Sequence, residues 1–140
     1  MGTTLWVLSK NKMTEGDDYD HSAVFNAAER LDKLCEHLGV KALSTFFDWT
    51  DFNANMGEAE EFPSEDELRE KAAWFSPDAA LPTLRALRTH LASDSDARAA
   101  LFEADLQHFS DYLLDELDDC ISKLERIQSE ADVFHLCVVM

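Results

Sequence analysis

Turn-forming residues are scarce in this chain, with four glycines and three prolines among 140 residues. A loop-heavy all-β fold needs more of both, so that class is disfavoured. Cysteine is scarce too. Cys35, Cys120 and Cys137 are odd in number, widely spaced and without a Cys-x-x-Cys pair, which argues against a disulfide framework and for a reducing compartment. No run approaches the roughly 18 apolar residues of a membrane span. The apolar stretch Leu5–Leu8 is short of the about 7 to 15 residues that a secretion signal places behind positive charge. Trp6 stands where the N-myristoylation pattern wants Ser or Thr. These absences make the cytoplasm the expected location. Positive charge is also thin: 12 Lys and Arg against 29 Asp and Glu leave a formal charge of −17. Nucleic-acid binding by phosphate neutralisation and docking on an anionic membrane both need clustered Lys and Arg. Neither partner is expected. Phosphate loops, dinucleotide fingerprints, nucleophile elbows and zinc-protease helices are missing as well, so nothing nominates an enzyme.

What is present is a chain that is 46% hydrophobic and 29% charged, enough for one domain, 1–140, with its own core. Residues 3–9 are β-branched, aromatic and aliphatic and read as a short strand; residues 10–20 read as a polar surface loop. From Ser22 to Leu38 the residues Val24, Ala27, Ala28, Leu31, Leu34, Cys35 and Leu38 fall within an arc of roughly 120°, which predicts an amphipathic helix. Asp20 or Ser22 can cap its start, and Gly39 suits the left-handed position after its end. Val40–Met56 reads either as a short helix and an aromatic loop or as a third strand. Residues 57–61 are acidic and expected to be exposed.

Ser64 and Glu67 form a capping box ahead of a helix to about Trp74. Ser76-Pro77 opens another helical stretch, which Pro82 is expected to divide, with Leu84, Leu87 and Leu91 as its stripe. Ser93–Asp96 reads as a capped turn. Phe102, Leu106, Phe109, Leu113, Leu117, Cys120, Leu124 and Ile127 then lie within about 80° of one another, so residues 97–128 read as one long helix or two nearly collinear ones. The C-terminal run is apolar on both faces, as in a strand covered on both sides, and the first strand is its obvious partner. Two strands alone are marginal, so a third strand, more chain or a second subunit is expected over the far face. The fold expected is α+β and predominantly helical, four to five helices on a small sheet built mainly from the terminal strands.

Chemistry-bearing residues gather in four places. Between Arg98 and Lys123 there is no Lys or Arg, and Asp111, Asp115 and Asp118 point away from the apolar stripe, with Asp119 beside them. Like charges at i and i+4 cost a helix a few tenths of a kcal/mol, so this face reads either as a solvated surface or as a docking face for a basic protein. Asp17, Asp18, Asp20 and His21 crowd one loop. Its EF-hand likeness fails because Ala23 stands where Gly is needed. A looser site of Asp17, Asp20 and His21 with Asp48 or Asp51 would suit Mg²⁺, Mn²⁺ or Ca²⁺; otherwise the loop is solvated and Asp20 is a cap. His135 and Cys137 share a strand face at about 6 to 7 Å, long for direct proton transfer. Cys35 and Cys120 sit within apolar stripes, and His37 and His90 on polar faces. Phe46, Phe47, Trp49 and Phe52 alternate with Asp48 and Asp51, so Trp49 and Phe52 read either as core or as an aromatic binding surface. Trp74-Phe75 reads as a plug at a helix junction.

The runs Asp20-His21-Ser22, Ser44–Phe52, Trp74–Pro77 and Phe134–Val139 are similar to a group of small acidic bacterial proteins of no assigned activity. That resemblance implies a bacterial cytoplasmic origin and nothing about chemistry. Three functions follow as expectations: a non-enzymatic acidic interaction module, of the inhibitor or charge-mimic kind, that binds a basic partner; a divalent-metal-binding protein; and a self-associating structural protein whose terminal strand completes a sheet across a homodimer.

Overall fold

The terminal strands find each other across the whole chain. In the computed structural model, which describes residues 3–56 and 64–139, β1 (Thr4–Ser9) runs antiparallel to β3 (Phe134–Val139) in a register from Thr4 opposite Val139 to Ser9 opposite Phe134. A two-residue strand, β2 (Phe47–Asp48), adds to the other side of β3 in parallel, so β3 is central. β3 is buried along its full length, as its two apolar faces require. Leu5, Val7, Phe47, Phe134, Leu136 and Val138 point to the main core, while Leu8, Cys137 and Val139 join Trp6 and Met13 on the opposite face.

Helices α1 (Ser22–Asn26) and α2 (Ala28–Leu38) carry the predicted stripe, with Val24, Ala27, Leu31 and Cys35 buried. They form one hydrogen-bonded helix with a hitch at Ala27, whose backbone relaxes to φ −93° and ψ 0° while Ala27 and Leu31 keep their i−4 bonds. Gly39 closes it at φ 72°, as expected. The expected start does not hold: neither Asp20 nor Ser22 caps it. The amides of Ala23 and Val24 donate instead to the carboxylate of Glu116, at 3.2 and 3.0 Å. Glu116 belongs to α7 (Leu113–Ser129), and its side chain is buried. Burial pushes its carboxyl up, and the two amides work against that.

Residues 40–56 combine the two readings. A 3₁₀ turn (Leu43–Phe46) leads into β2, and α3 (Thr50–Met56) follows. Helix α4 (Glu65–Lys71) starts at Ser64, which accepts from the amide of Glu67, and buries Leu68. α5 (Pro77–Ala92) runs straight through Pro82, contrary to the expected division. Pro82 has no N–H for the Asp78 carbonyl, but the residue is exposed and Leu81, Leu84, Leu87 and Leu91 hold the helix against the core.

The expectation of one long helix, or two nearly collinear ones, over 97–128 is likewise corrected. α6 (Ser95–Ala99) stops early, residues Ala104–Asp111 form a 3₁₀ helix, and only α7 continues as α-helix. Gln107 donates to the carbonyls of Ala99 and Phe102 at 2.9 and 2.6 Å, which ends the α-helical ladder there. Leu106 and Phe109, three residues apart, fit the 3₁₀ repeat, and Phe102, Leu106 and Phe109 still pack on the core. The fold is thus α+β and predominantly helical, with its helices against a small sheet. The stretch 57–61 lies outside the described residues. A third strand is present: β2 takes the other edge of β3, and α3 also contacts β3.

Replacing Glu116 by Ala removes the acceptor for two buried amides. Loss of a cap and of a buried hydrogen-bond partner predicts a destabilisation of about 2 kcal/mol, read as a lowered urea midpoint with unchanged m-value.

Candidate functional site

Two buried polar clusters and one exposed acidic face account for the residues singled out by the sequence. The first cluster closes the free edge of the sheet. On β1 the outward carbonyl of Leu5 accepts from the backbone N–H of His21 at 3.1 Å and bonds its Nδ1 at 2.9 Å. The outward amide of Val7 donates to Oδ2 of Asp17 at 2.7 Å, and the Ser9 carbonyl accepts from Lys12. The loop between β1 and α1 therefore serves β1 as a side-chain substitute for a neighbouring strand.

His21 is fully buried and its Nε2 lies 2.7 Å from Oδ2 of Asp119. A carbonyl and a carboxylate only accept, so both ring nitrogens face acceptors. Lys123 sits at the centre, bonded to Asp17 and lying 2.9 Å from Asp18 and 2.8 Å from Asp119. Burial pulls the Lys123 ammonium pKa down, but hydrogen bonds to Asp119, Asp17 and Asp18 outweigh that and raise it overall. The loop expected to be solvated thus has its Asp17 carboxylate buried, while Asp20 stays exposed and accepts from the Trp6 indole at 2.7 Å. Asp17, His21 and Asp119 have metal-ligand types within reach of one another. The cation among them is the chain's own ammonium.

The second cluster lies on the opposite face of the sheet, and it separates Asp48 and Asp51 from the first. Asp48 stands across from Cys137 in the register. Its Oδ1 accepts from Thr50 Oγ1 at 2.9 Å and the Ala73 amide at 3.1 Å, while Oδ2 accepts from the Thr50 amide at 3.2 Å. His135 donates from Nδ1 to the Ala73 carbonyl at 3.0 Å, and its buried Nε2 has no partner. Trp74 stacks on this ring with centroids 4.0 Å apart and planes 17° apart. Burial lowers the His135 pKa against the pull of Asp48, and the ring is neutral. Burial, with Asp51 and Asp48 nearby, pushes the Cys137 thiol up to about 12. Burial and Asp48 also raise the Asp51 carboxyl.

The acidic face is exposed but unequal in its freedom. Asp111, Asp115 and Asp118 are all exposed, although Asp111 lies in the 3₁₀ helix and not on α7. Asp118 is held by Arg88 through bonds of 2.8 and 3.2 Å, and Asp119 is committed to His21 and Lys123. Beside them Tyr112 is 54% exposed. Of the aromatic candidates, Trp49 is 43% exposed and packs edge-on to Phe25 and Phe52. Phe52 is half-buried against the core, and Phe46 and Phe47 are within it.

Sequence reasoning missed Lys123, Glu116, Arg88 and Trp74. Lys123 had a signal: it is the first cation after the acidic run and stands four residues beyond Asp119, a helical ion-pair spacing. Comparison with protein-family models, curated proteins and solved structures returns no match. No helix among the described residues is long and apolar enough to cross a membrane.

Two predictions follow from these clusters. Lys123→Met strands buried carboxylates and lowers stability by about 3 kcal/mol; adding Asp17→Asn restores part of it, measured by denaturant unfolding as a double-mutant cycle. Because the Lys123 pKa is raised on folding, its contribution is complete below about pH 10.4, the unfolded value. It disappears as pH climbs through the higher folded value, so the gap between wild type and Lys123→Met narrows at alkaline pH. Cys35, Cys120 and Cys137 are all buried with raised pKa values. Ellman's reagent is expected to titrate none of the three in the native protein at mildly alkaline pH and all three in guanidinium.

Proposed function

We propose that the protein is a non-enzymatic interaction module that binds a basic protein partner through the surface around Asp111 and Asp115. The supporting observation is the company these carboxylates keep. Tyr112 stands between them in sequence, more than half exposed. On the neighbouring loop Tyr19 is 37% exposed, and its phenol is pushed up by burial and then by Glu116, Asp115 and Asp119. Tyr112 is thus an exposed ring beside these carboxylates, while the Tyr19 ring already faces the Lys123 ammonium at 5.8 Å. Tyrosine is enriched at protein interfaces, and a ring beside a carboxylate offers a lysine or arginine both a cation–π contact and an ion pair. The formal charge of −17 adds long-range attraction that speeds encounter with a positive partner.

Asp118 and Asp119 contribute less, because Arg88 in one case and His21 with Lys123 in the other already satisfy them. Asp111 and Asp115 are the operative pair. Trp49 belongs to a separate aromatic patch with Phe25 and Phe52.

The test uses a lysine- and arginine-rich peptide as bait at low ionic strength. The Asp111→Asn/Asp115→Asn double variant is expected to bind about tenfold more weakly, with a shallower salt dependence. Asp118→Asn has a smaller effect. A control of equal charge change, Glu29→Gln/Glu36→Gln on α2, keeps wild-type affinity. If the control weakens binding as much as the double variant, the attraction is that of net charge alone and the proposal fails.

A further inference from the structure

We propose that Asp48, His135 and Cys137 form a binding site for one divalent transition-metal ion of the zinc class. The site is independent of the docking surface and uses none of its residues. Its three side chains converge because of the sheet. His135 and Cys137 are two residues apart on β3 and share a face, and β2 places Asp48 directly across from Cys137. One donor atom from each lies within 4.8 Å of the others, and all three residues are buried.

The donor set decides the class of ion. Oxygen-only sites suit Mg²⁺ and Ca²⁺, whereas a thiolate, an imidazole and a carboxylate together select zinc and its neighbours in the first transition row. Donors around a tetrahedral zinc ion stand about 3.5 Å apart, so closing by about 1 Å brings this triad to bonding distance. His135 turns Nδ1 toward the carboxylate, 3.9 Å from Oδ2 of Asp48; the same nitrogen bonds the Ala73 carbonyl at 3.0 Å, a contact that fixes the ring as outer-shell partners fix metal-binding histidines. On binding, the metal–sulfur bond replaces the S–H bond of Cys137 and the proton leaves to solvent. No electron changes hands.

Trp74, which stacks on His135, also lines a surface cleft with Lys10, Asp66, Arg69 and Glu70. The first cluster, by contrast, has its charge met by Lys123 and carries no such proposal.

Cobalt(II) added to the chelator-treated full chain tests the site. The expected result is a near-ultraviolet thiolate-to-cobalt charge-transfer band with intense tetrahedral visible bands, saturating at one equivalent. One proton is released per ion, and zinc bleaches the spectrum. Millimolar Mg²⁺ and Ca²⁺ leave it unchanged. Cys35→Ala and Cys120→Ala keep the thiolate band and Cys137→Ala loses it. Should Cys137→Ala fail to fold by circular dichroism, quenching of Trp74 emission by cobalt, present in wild type and absent in Trp74→Phe, reports the same location. Absence of the thiolate band in wild type overturns the proposal, as does a band that survives Cys137→Ala or is displaced by Mg²⁺.

Discussion

The structure depends on how one exposed sheet edge is closed. β1 is short and lies at the side of a three-stranded sheet, and its outward Leu5 carbonyl and Val7 amide need partners that no further strand provides. His21 and Asp17 supply them from the following loop. Each of those side chains is then too polar to be buried alone. Asp119 and Lys123 of α7 meet that need, so the edge of the sheet is tied to the last helix through a chain of charged hydrogen bonds. Glu116, one turn earlier on α7, caps α1 in the same region. A single face of α7 therefore organises the strand edge, the loop and the first helix at once.

This arrangement divides the acidic residues into two kinds. Glu116 and Asp119 look in sequence like further members of a solvated run, yet they are consumed in holding the fold. Asp118 is half consumed, by Arg88. Asp111 and Asp115 are exposed and hold no ion pair among the described residues. A strongly negative protein need not present a uniformly negative surface, and the charge that matters for recognition is what remains after the internal partners are served.

Much of the fold was legible because it is periodic. The stripe of 22–38, the short stripe of Leu84, Leu87 and Leu91 and the two-faced apolar ends followed from spacing alone, as did the α+β class. Errors arose where a distant residue decided a local outcome. The cap of α1 comes from Glu116, more than ninety positions away, and the side chains of Asp17 and His21, buried within an otherwise exposed loop, meet Asp119 and Lys123 of the same distant helix. The break between α6 and α7 falls where Gln107 donates to the carbonyls of Ala99 and Phe102; the three-residue step from Leu106 to Phe109 fits the α and 3₁₀ periods alike and does not say which is adopted. Of the expected metal residues, Asp17 and His21 share one cluster and Asp48 another. The residues joining Asp48, His135 and Cys137, were seen in the sequence only as a strand pair, since nothing local places β2 beside β3.

Native-state hydrogen exchange at the Val7 amide tests the closure of the β1 edge most directly. This amide points away from β3 and has Asp17 as its partner, so wild type is expected to protect it, while Asp17→Asn or Lys123→Met is expected to expose it with the amides between β1 and β3 still protected. Exchange at Val7 that is already fast in wild type, or that stays slow in both variants, would contradict the account.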